Sequence, residues 1–171
     1  KMRSIIDALL LMGEAWRADV PSAPIDLGAV AAECLGSLAH EVTRLGARVR
    51  IPDAWPAALG HAPWVEQVLT NTVSNALKYG GRPPEVEIGA TIEDGRRVRV
   101  FVKDNGRGLT PDEQQRVFAP FTRLSGRDVA GHGVGLSIVR RLVERMGGEV
   151  AVESGGAPGA GCTFSFTLPR G

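Results

Sequence analysis

Several features are scarce in this 171-residue sequence, and each scarcity argues against a class of protein. The two cysteines, Cys34 and Cys162, are far apart and lack metal-ligand spacing, which favours reduced thiols in a cytosolic protein over a disulfide framework or a metal site. No apolar run is long enough to span a bilayer, and no signal-peptide pattern occurs. The formal net charge is only +1, which argues against a dedicated nucleic-acid surface.

Chain length and composition predict one compact domain with an appendage. With 43% apolar residues, the chain can build one core of ordinary size. Residues 4–12 have apolar side chains at helical spacing, too many for so short a helix to bury alone, so we expect 1–16 to be the end of a longer helix whose partner is missing. Residues 17–24 contain two prolines and are interpreted as a linker. The predicted domain is therefore 25–171, in a piece of a longer protein.

Periodicity and turn residues predict alternating helices and strands within that domain. Asp26 is a favoured residue for a helix N-cap, and Gly46 should end the helix that follows it. Asp94-Gly95 predicts a tight hairpin between two strands of alternating pattern. The predicted helices span 26–46, 63–79 and 137–146, and the predicted strands span 47–51 at a sheet edge, 85–92, 97–104, 149–153 and 162–168.

The helix over 63–79 carries polar side chains beside its core face. The stripe that faces the core contains Val65, Val68, Leu69, Thr72, Val73 and Ala76. Asn71, Asn75 and Lys78 fall in a separate sector of about 60° around the helix. Tyr79 lies at the boundary between this sector and the core stripe. One interpretation is a solvated face with an incidental pair of asparagines. The other is a site for Mg²⁺ and phosphates, because Mg²⁺ takes amide and phosphate oxygens and lysine adds a point charge.

Asp104 ends the predicted strand 97–104 and shares its parity with Val98, Val100 and Val102. Its carboxylate should therefore point to the buried face of the sheet, where it needs a hydrogen-bond donor. The exocyclic amine of adenine would be such a donor. A structural carboxylate that caps the next turn is the alternative.

Two glycine turns bracket a polar segment that has no clean periodicity. The first, Gly106-Arg-Gly108, follows Asp104, and the second, Gly131-His-Gly133-Val-Gly135, precedes a helix. A helix start offers unpaired N–H groups to phosphate, and glycine lets the backbone approach a ligand closely. The pair of turns predicts a nucleotide site, although either turn alone would be weak evidence.

Four motifs together resemble the N, G1, F and G2 boxes of the sensor histidine kinases, in that family's order and spacing. They are Asn71-Thr-Val-Ser-Asn75-Ala-Leu-Lys78-Tyr79, Asp104-Asn-Gly106-Arg-Gly108, Val117-Phe118-Ala-Pro-Phe121-Thr-Arg123 and Gly131-His-Gly133-Val-Gly135-Leu136. The resemblance implies the Bergerat ATP-binding fold, an α+β two-layer sandwich in which helices cover one face of a mixed sheet and an ATP lid flanks the site. It also implies that residues 1–16 are the stub of the second dimerisation helix.

The resemblance assigns roles by position. It implies that Asn75 ligates Mg²⁺ with Asn71 nearby, that Lys78 meets phosphates and that Tyr79 flanks the base. Asn71 and Lys78 are the implied catalytic residues. Asp104 would bind the adenine amine, with Gly106 and Gly108 passing under the nucleotide. The implied lid residues are Phe118, Phe121 and Arg123, and the implied phosphate-side residues are Gly131, His132, Gly133, Val134, Gly135 and Leu136.

The function implied is that of the ATP-binding catalytic domain of a two-component sensor histidine kinase. It would bind Mg-ATP and transfer the γ-phosphoryl group to a histidine on a dimerisation domain outside this chain, in the cytoplasm, and a response regulator would be a further partner. The parent protein would be a homodimer, with or without a membrane anchor, and this chain would itself contact neither membrane nor nucleic acid. His40-Glu41 is similar to the family's phosphoacceptor motif, but Thr43-Arg44-Leu45 lacks the usual continuation, so His40 is not the expected acceptor.

Two other functions share these motifs. One is a protein serine kinase of the anti-sigma-factor type, and the other is a pseudo-kinase that only binds nucleotide. Related ATPases of the gyrase and Hsp90 type carry a glutamate where this chain has Asn71. An amide has no useful basicity with which to activate water, so the residue at this position favours a kinase over a hydrolase.

Overall fold

The computed structural model describes residues 22–120, 135–155 and 159–171. The predicted helix stub at 1–16 and most of the predicted linker lie outside these residues. So do the predicted site residues Phe121, Arg123, Gly131, His132, Gly133 and Val134. Within the described part of the chain, no helix is both long and apolar enough to cross a membrane.

A mixed five-stranded sheet is the centre of the fold. Its strand order is β2-β4-β5-β7-β6, where β2 is Arg48–Arg50, β4 is Glu85–Glu93, β5 is Arg97–Asp104, β6 is Val150–Ser154 and β7 is Cys162–Pro169. Strand β2 pairs in parallel with β4, and the other neighbours are antiparallel. A separate two-stranded sheet joins β1, Ala23–Ile25, to β3, Ala58–Gly60.

Three long helices share one core with the inner face of this sheet. They are α1, Leu27–Leu45, α2, Ala62–Tyr79, and α4, Gly135–Arg145. A short helix, α3, spans Pro111–Arg116. On the outer face, charged side chains of neighbouring strands pair, as in the contact of Arg99 with Glu93 at 2.6 Å. The α+β fold with helices on one face of a mixed sheet, which the resemblance implied, is confirmed.

The helix boundaries follow from the residues at their ends. The Asp26 side chain accepts a hydrogen bond from Ala29 N at 3.0 Å and so caps α1. Gly46 ends the same helix with φ 60°, a left-handed conformation that glycine adopts without the steric penalty of a side chain. Every residue of the predicted core stripe on α2 is buried, and Trp64 and Leu77 extend that stripe. The predictions for both helices are confirmed.

Asp104 lies at the end of β5 on the inner face of the sheet. The β4–β5 hairpin turns at Asp94 and Gly95, whose φ angles of 54° and 66° suit a tight turn between twisted strands. The alternation that follows buries Val98, Val100, Val102 and Asp104 on one face. The predicted shared parity of the carboxylate and the valines is confirmed.

The predicted linker is wrong at its last two residues, because Ala23 and Pro24 lie in β1. A three-residue strand is too short to show a sequence period, and proline is tolerated in a strand that has only one neighbour. The domain therefore begins before residue 25. Helix α3 was missed too, although its start carries a local signal: Thr110 and Glu113 form a reciprocal capping box around Pro111.

Candidate functional site

A cavity opens where the end of β5 meets the last turns of α2, the region of α3 and the start of α4. Its empty volume is about 600 Å³, part of which is open to solvent. The residues that line it are Asn75, Tyr79, Asp104, Arg107, Gly108, Leu109, Val117, Leu136, Cys162 and Phe164. The structure thus brings together five predicted site residues that are up to 61 positions apart in sequence, from Asn75 to Leu136.

One wall of the cavity is apolar. Leu109, Val117, Cys162 and Phe164 form a hydrophobic cluster of their own, separate from the main core. Phe118 packs edge-on against Phe164, with ring centroids 6.2 Å apart. Such a wall suits a flat, weakly polar ring, because ligand cavities combine apolar surface with a few polar groups that fix orientation.

Asp104 is the buried polar group of the cavity, with only 6% of its surface exposed. Its Oδ1 accepts hydrogen bonds from Gly106 N at 2.7 Å and Cys162 N at 3.3 Å. Among the described residues no donor to Oδ2 is recorded, which leaves that atom for a ligand. Burial raises the pKa of the carboxyl, and the two backbone hydrogen bonds oppose this rise. The carboxylate therefore caps the turn, which is the structural alternative, and its binding of the adenine amine stays a prediction.

The glycines of the first turn permit close passage against α2. A β-carbon at Gly106 would collide with the carbonyl oxygen of Tyr79 and lie 2.8 Å from Asp104 Oδ1. Gly108 lines the cavity and has φ 80°, a backbone conformation that residues with a side chain rarely adopt. These contacts are with the chain itself, so the passage of Gly106 and Gly108 under the nucleotide stays a prediction.

The two asparagines of α2 lie at different places relative to the cavity. Asn71 Nδ2 donates to Gln67 O at 2.9 Å, and a β-carbon at Gly135 would lie 2.9 Å from Asn71 Oδ1. Asn71 therefore presents its amide oxygen to the first residue of α4. Asn75 is half-buried and lines the cavity, and no side-chain hydrogen bond to another described residue is recorded for it. Its amide remains available to a ligand or a metal ion.

Lys78 is not brought to this cavity. It is exposed and lines a separate, wider hollow beside Arg44 and Arg82, between the ends of α1 and α2. Tyr79, the next residue, is on the cavity wall and 38% exposed. Adjacent residues at the end of α2 thus line two different hollows.

Residues 60–171 match the family described as "Histidine kinase-, DNA gyrase B-, and HSP90-like ATPase". The chain belongs to this family. It is 36% identical over 171 residues to the methanogenesis regulatory histidine kinase FilI of Methanothrix harundinacea, a match that covers 99% of this chain and 19% of the relative. It is 36% identical over 176 residues to the adaptive-response sensory kinase SasA of Parasynechococcus marenigrum, covering 99% of this chain and 45% of that kinase.

A solved structure of ShkA, full length and in complex with AMPPNP, shares the fold. Its TM-score is 0.81 at 30% identity, over 98% of this chain and 35% of that one. The chain therefore spans less than half the length of these relatives. The resemblance predicted from the four motifs is confirmed: this is an ATP-binding catalytic domain of the histidine-kinase type.

In this ATPase domain, metal binding would depend on amide and ligand oxygens. No group of three or more His, Cys, Asp or Glu side chains that could hold a metal ion occurs within 22–120, 135–155 and 159–171. A hard cation such as Mg²⁺ accepts amide and phosphate oxygens and keeps several waters. The free amide of Asn75 beside the cavity fits that requirement for one protein ligand.

Sequence reasoning missed several residues of the domain's site. Leu109 and Val117 were not singled out as cavity residues, because the segment that contains them has no period that marks a buried face. The sequence identified Cys162 only as one of two widely separated cysteines without metal-ligand spacing. Burial, followed by the charge of Asp104, raises the pKa of its thiol to about 11, so the group remains protonated at neutral pH.

Proposed function

We propose that this domain binds Mg-ATP in the cavity and transfers the γ-phosphoryl group to a histidine on a dimerisation domain outside the chain. The observation that carries the proposal is the carboxylate of Asp104, buried in an apolar wall with one oxygen free and facing a helix that carries an unpaired amide at Asn75. A buried acceptor of this kind requires a donor from the ligand.

Asp104 would select adenine by accepting a hydrogen bond from its exocyclic amine. The apolar cluster that contains Leu109 and Phe164 would take the ring, and Tyr79 would flank it at the edge of the cavity. Guanine presents a carbonyl oxygen where adenine has the amine, so it would bring two acceptors together. Such an unpaired contact typically costs about 1–3 kcal/mol when buried.

Asn75 would hold Mg²⁺, which supplies charge neutralisation to the phosphates when bound. Asn71, placed against Gly135, would support the start of α4, where backbone N–H groups favour anions. Lys78 would reach the phosphates from its exposed position at the end of α2. By the family resemblance, the second glycine turn, from Gly131 to Gly135, would place the helix start against the phosphates, and Phe121 and Arg123 would belong to the lid.

The site supports transfer to an imidazole better than hydrolysis. Phosphoryl transfer needs positioning and charge stabilisation, and a neutral imidazole nitrogen is already a nucleophile. Asn71 has no basicity with which to activate water. His40 is exposed on α1 and does not line the cavity, so the acceptor is assigned to the dimerisation domain. A homodimeric parent and a response regulator as the next acceptor complete the proposal.

A titration of the domain with a non-hydrolysable ATP analogue, with and without Mg²⁺, tests the proposal. We expect the wild-type chain to bind more tightly with Mg²⁺, and Asn75→Ala to lose that gain while it keeps the metal-free affinity. Asp26→Ala, which removes the α1 cap without touching the cavity, is the control. Equal wild-type affinity in both conditions would contradict the role of Asn75, and absence of nucleotide binding would contradict the function itself.

A further inference from the structure

Asn105 follows the proposed adenine-binding carboxylate directly, yet it does not line the cavity. Its side chain instead forms hydrogen bonds with the loop at residues 80–84, which follows the end of α2. Asn105 Oδ1 accepts hydrogen bonds from Gly81 N at 2.8 Å and from Glu85 N at 2.9 Å. Its Nδ2 donates to Pro83 O at 3.2 Å. One amide thus satisfies three backbone groups, two in the loop, Gly81 N and Pro83 O, and one at the first residue of β4, Glu85 N.

The backbone packs closely around these hydrogen bonds, so that Gly80 and Gly81 have no room for a side chain. A β-carbon at Gly81 would lie 2.7 Å from Asn105 Nδ2, and one at Gly80 would lie 3.4 Å from Asn105 Oδ1. On the other side of the turn, Gly106 lies directly against the carbonyl of Tyr79. The end of β5 is therefore joined to the loop after α2 by Asn105 and packs against the last residue of α2 at Gly106.

These two ends carry the two halves of the proposed site. Asp104, at the end of β5, would hold the base, whereas Asn75 and Lys78, on the last turns of α2, would hold the metal and the phosphates. We propose that Asn105 is a positioning residue, which sets the spacing between the base subsite and the metal-phosphate subsite. The inference rests on the proposed function and adds to it a residue that touches neither ligand nor metal.

Replacement of Asn105 should change the distance between the base subsite and the metal-phosphate subsite. When Asn105 is replaced by alanine, three backbone groups lose their partner and the end of α2 can shift relative to β5. A nucleotide anchored at Asp104 would then meet a misplaced amide at Asn75. Displacements of about 1 Å can cost up to about 100-fold in function, and loss of a supporting group around a metal site typically costs about 10- to 100-fold.

The test compares the affinity for the Mg-bound ATP analogue with the affinity for metal-free ADP, by calorimetry on the full 171-residue chain. For Asn105→Ala we expect the first affinity to fall at least about tenfold more than the second. Asn105→Asp keeps an oxygen acceptor for Gly81 N and Glu85 N and loses only the donor to Pro83 O, so we expect it to retain most of the Mg²⁺-dependent gain. If the alanine variant does not fold, Asn105→Asp becomes the test variant. We then expect the ratio of the affinity for the Mg-bound analogue to the affinity for metal-free ADP to fall, but by less than in Asn105→Ala.

Asp26→Ala is the matched control, because it removes a side-chain hydrogen bond to backbone and lowers stability at a helix that contributes no residue to the cavity lining. It should leave the ratio of the two affinities unchanged. An equal fall of both affinities in Asn105→Ala, or a fall in thermal stability alone, would overturn the positioning role while the proposed function stands. A wild-type chain without Mg²⁺-dependent affinity would overturn the metal role of Asn75 and this inference together.

Discussion

The two hydrophobic clusters of the molecule differ in what they enclose. The main core joins the inner face of the sheet to α1, α2 and α4, and its central residues, such as Leu69 and Val73, have no exposed surface. The second cluster, around Leu109, Val117 and Phe164, is small and borders a cavity. Leu136 packs against both. We therefore expect stability to depend mainly on the main core, whereas the second cluster is left incomplete where a ligand would bind.

The largest effect on folding is expected from Leu69→Ala. Leu69 is fully buried in α2, so its truncation removes apolar contacts and leaves a cavity that costs about 2–5 kcal/mol of unfolding free energy. Urea denaturation followed by circular dichroism measures this loss. Val117→Ala, in the second cluster, is the comparison variant and should lose less stability but more nucleotide affinity. Equal losses of stability in the two variants would break the distinction between the clusters.

Asp104→Asn should separate binding from stability. The amide can still accept from Gly106 N and Cys162 N through its oxygen, but its NH₂ group would face the amine of adenine. Loss of a buried hydrogen bond to a charged group corresponds to about 1.5–3 kcal/mol, so we expect nucleotide affinity to fall by roughly 10- to 100-fold. Calorimetric titration measures it. Undiminished affinity would refute the assignment of Asp104 to the base.

The direction in which Asp104→Asn changes the free energy of unfolding follows from the pKa of the carboxyl. Burial raises the pKa of Asp104 in the folded chain, so the folded state disfavours the ionised carboxylate. The ionised group therefore destabilises the fold above its folded pKa, and this penalty decreases as the pH falls through that pKa and is absent below the pKa of the unfolded chain. Asp104→Asn should be at least as stable as wild type at neutral pH, and the difference should vanish in acid. A variant that is less stable at neutral pH and equally so in acid would contradict this account.

The contrast between the clusters also explains which features the sequence alone could predict. Regular periods determined α2 and β5, and with them the positions of Asn75 and Asp104, because side-chain direction is fixed once the period is known. The second cluster has no such period. Its members come from the loop before α3, the end of α3, the start of α4 and β7, so only tertiary packing brings them together.

Asn105 and Lys78 show the same limit for polar residues. The motif that contains Asn105 marks its neighbours Asp104 and Gly106, but the three backbone partners of its side chain lie 20 to 24 positions away. Lys78 shares a helical sector with Asn75, yet its long side chain lies in another hollow. Helical spacing fixes where a side chain leaves the backbone and does not fix where a flexible side chain ends.

Cys162 offers a way to monitor occupancy of the cavity. Its thiol pKa of about 11 leaves little thiolate at neutral pH, so alkylation by iodoacetamide should be slow and should accelerate about tenfold per pH unit between pH 7 and 9. Bound nucleotide should protect this thiol because it lines the cavity. Cys34, buried in the main core, is the internal control and should stay unmodified in both conditions. Mass spectrometry of the labelled chain would contradict the assignment if nucleotide left the labelling rate of Cys162 unchanged.

The smallest effect is expected at the start of α3, which borders the second cluster and not the main core. Thr110 Oγ1 accepts from Glu113 N at 3.2 Å, and Glu113 in turn pairs with Arg107 at 2.6 Å. Thr110→Ala removes one half of the capping box, which is worth about 1 kcal/mol at a helix start. Because α3 contributes no residue to the main core, the loss should appear as faster amide hydrogen exchange at Glu113 and Gln114, with little change in the urea midpoint. A clear fall in that midpoint would show that α3 unfolds together with the core, and that the boundary between the two clusters is not a boundary in stability.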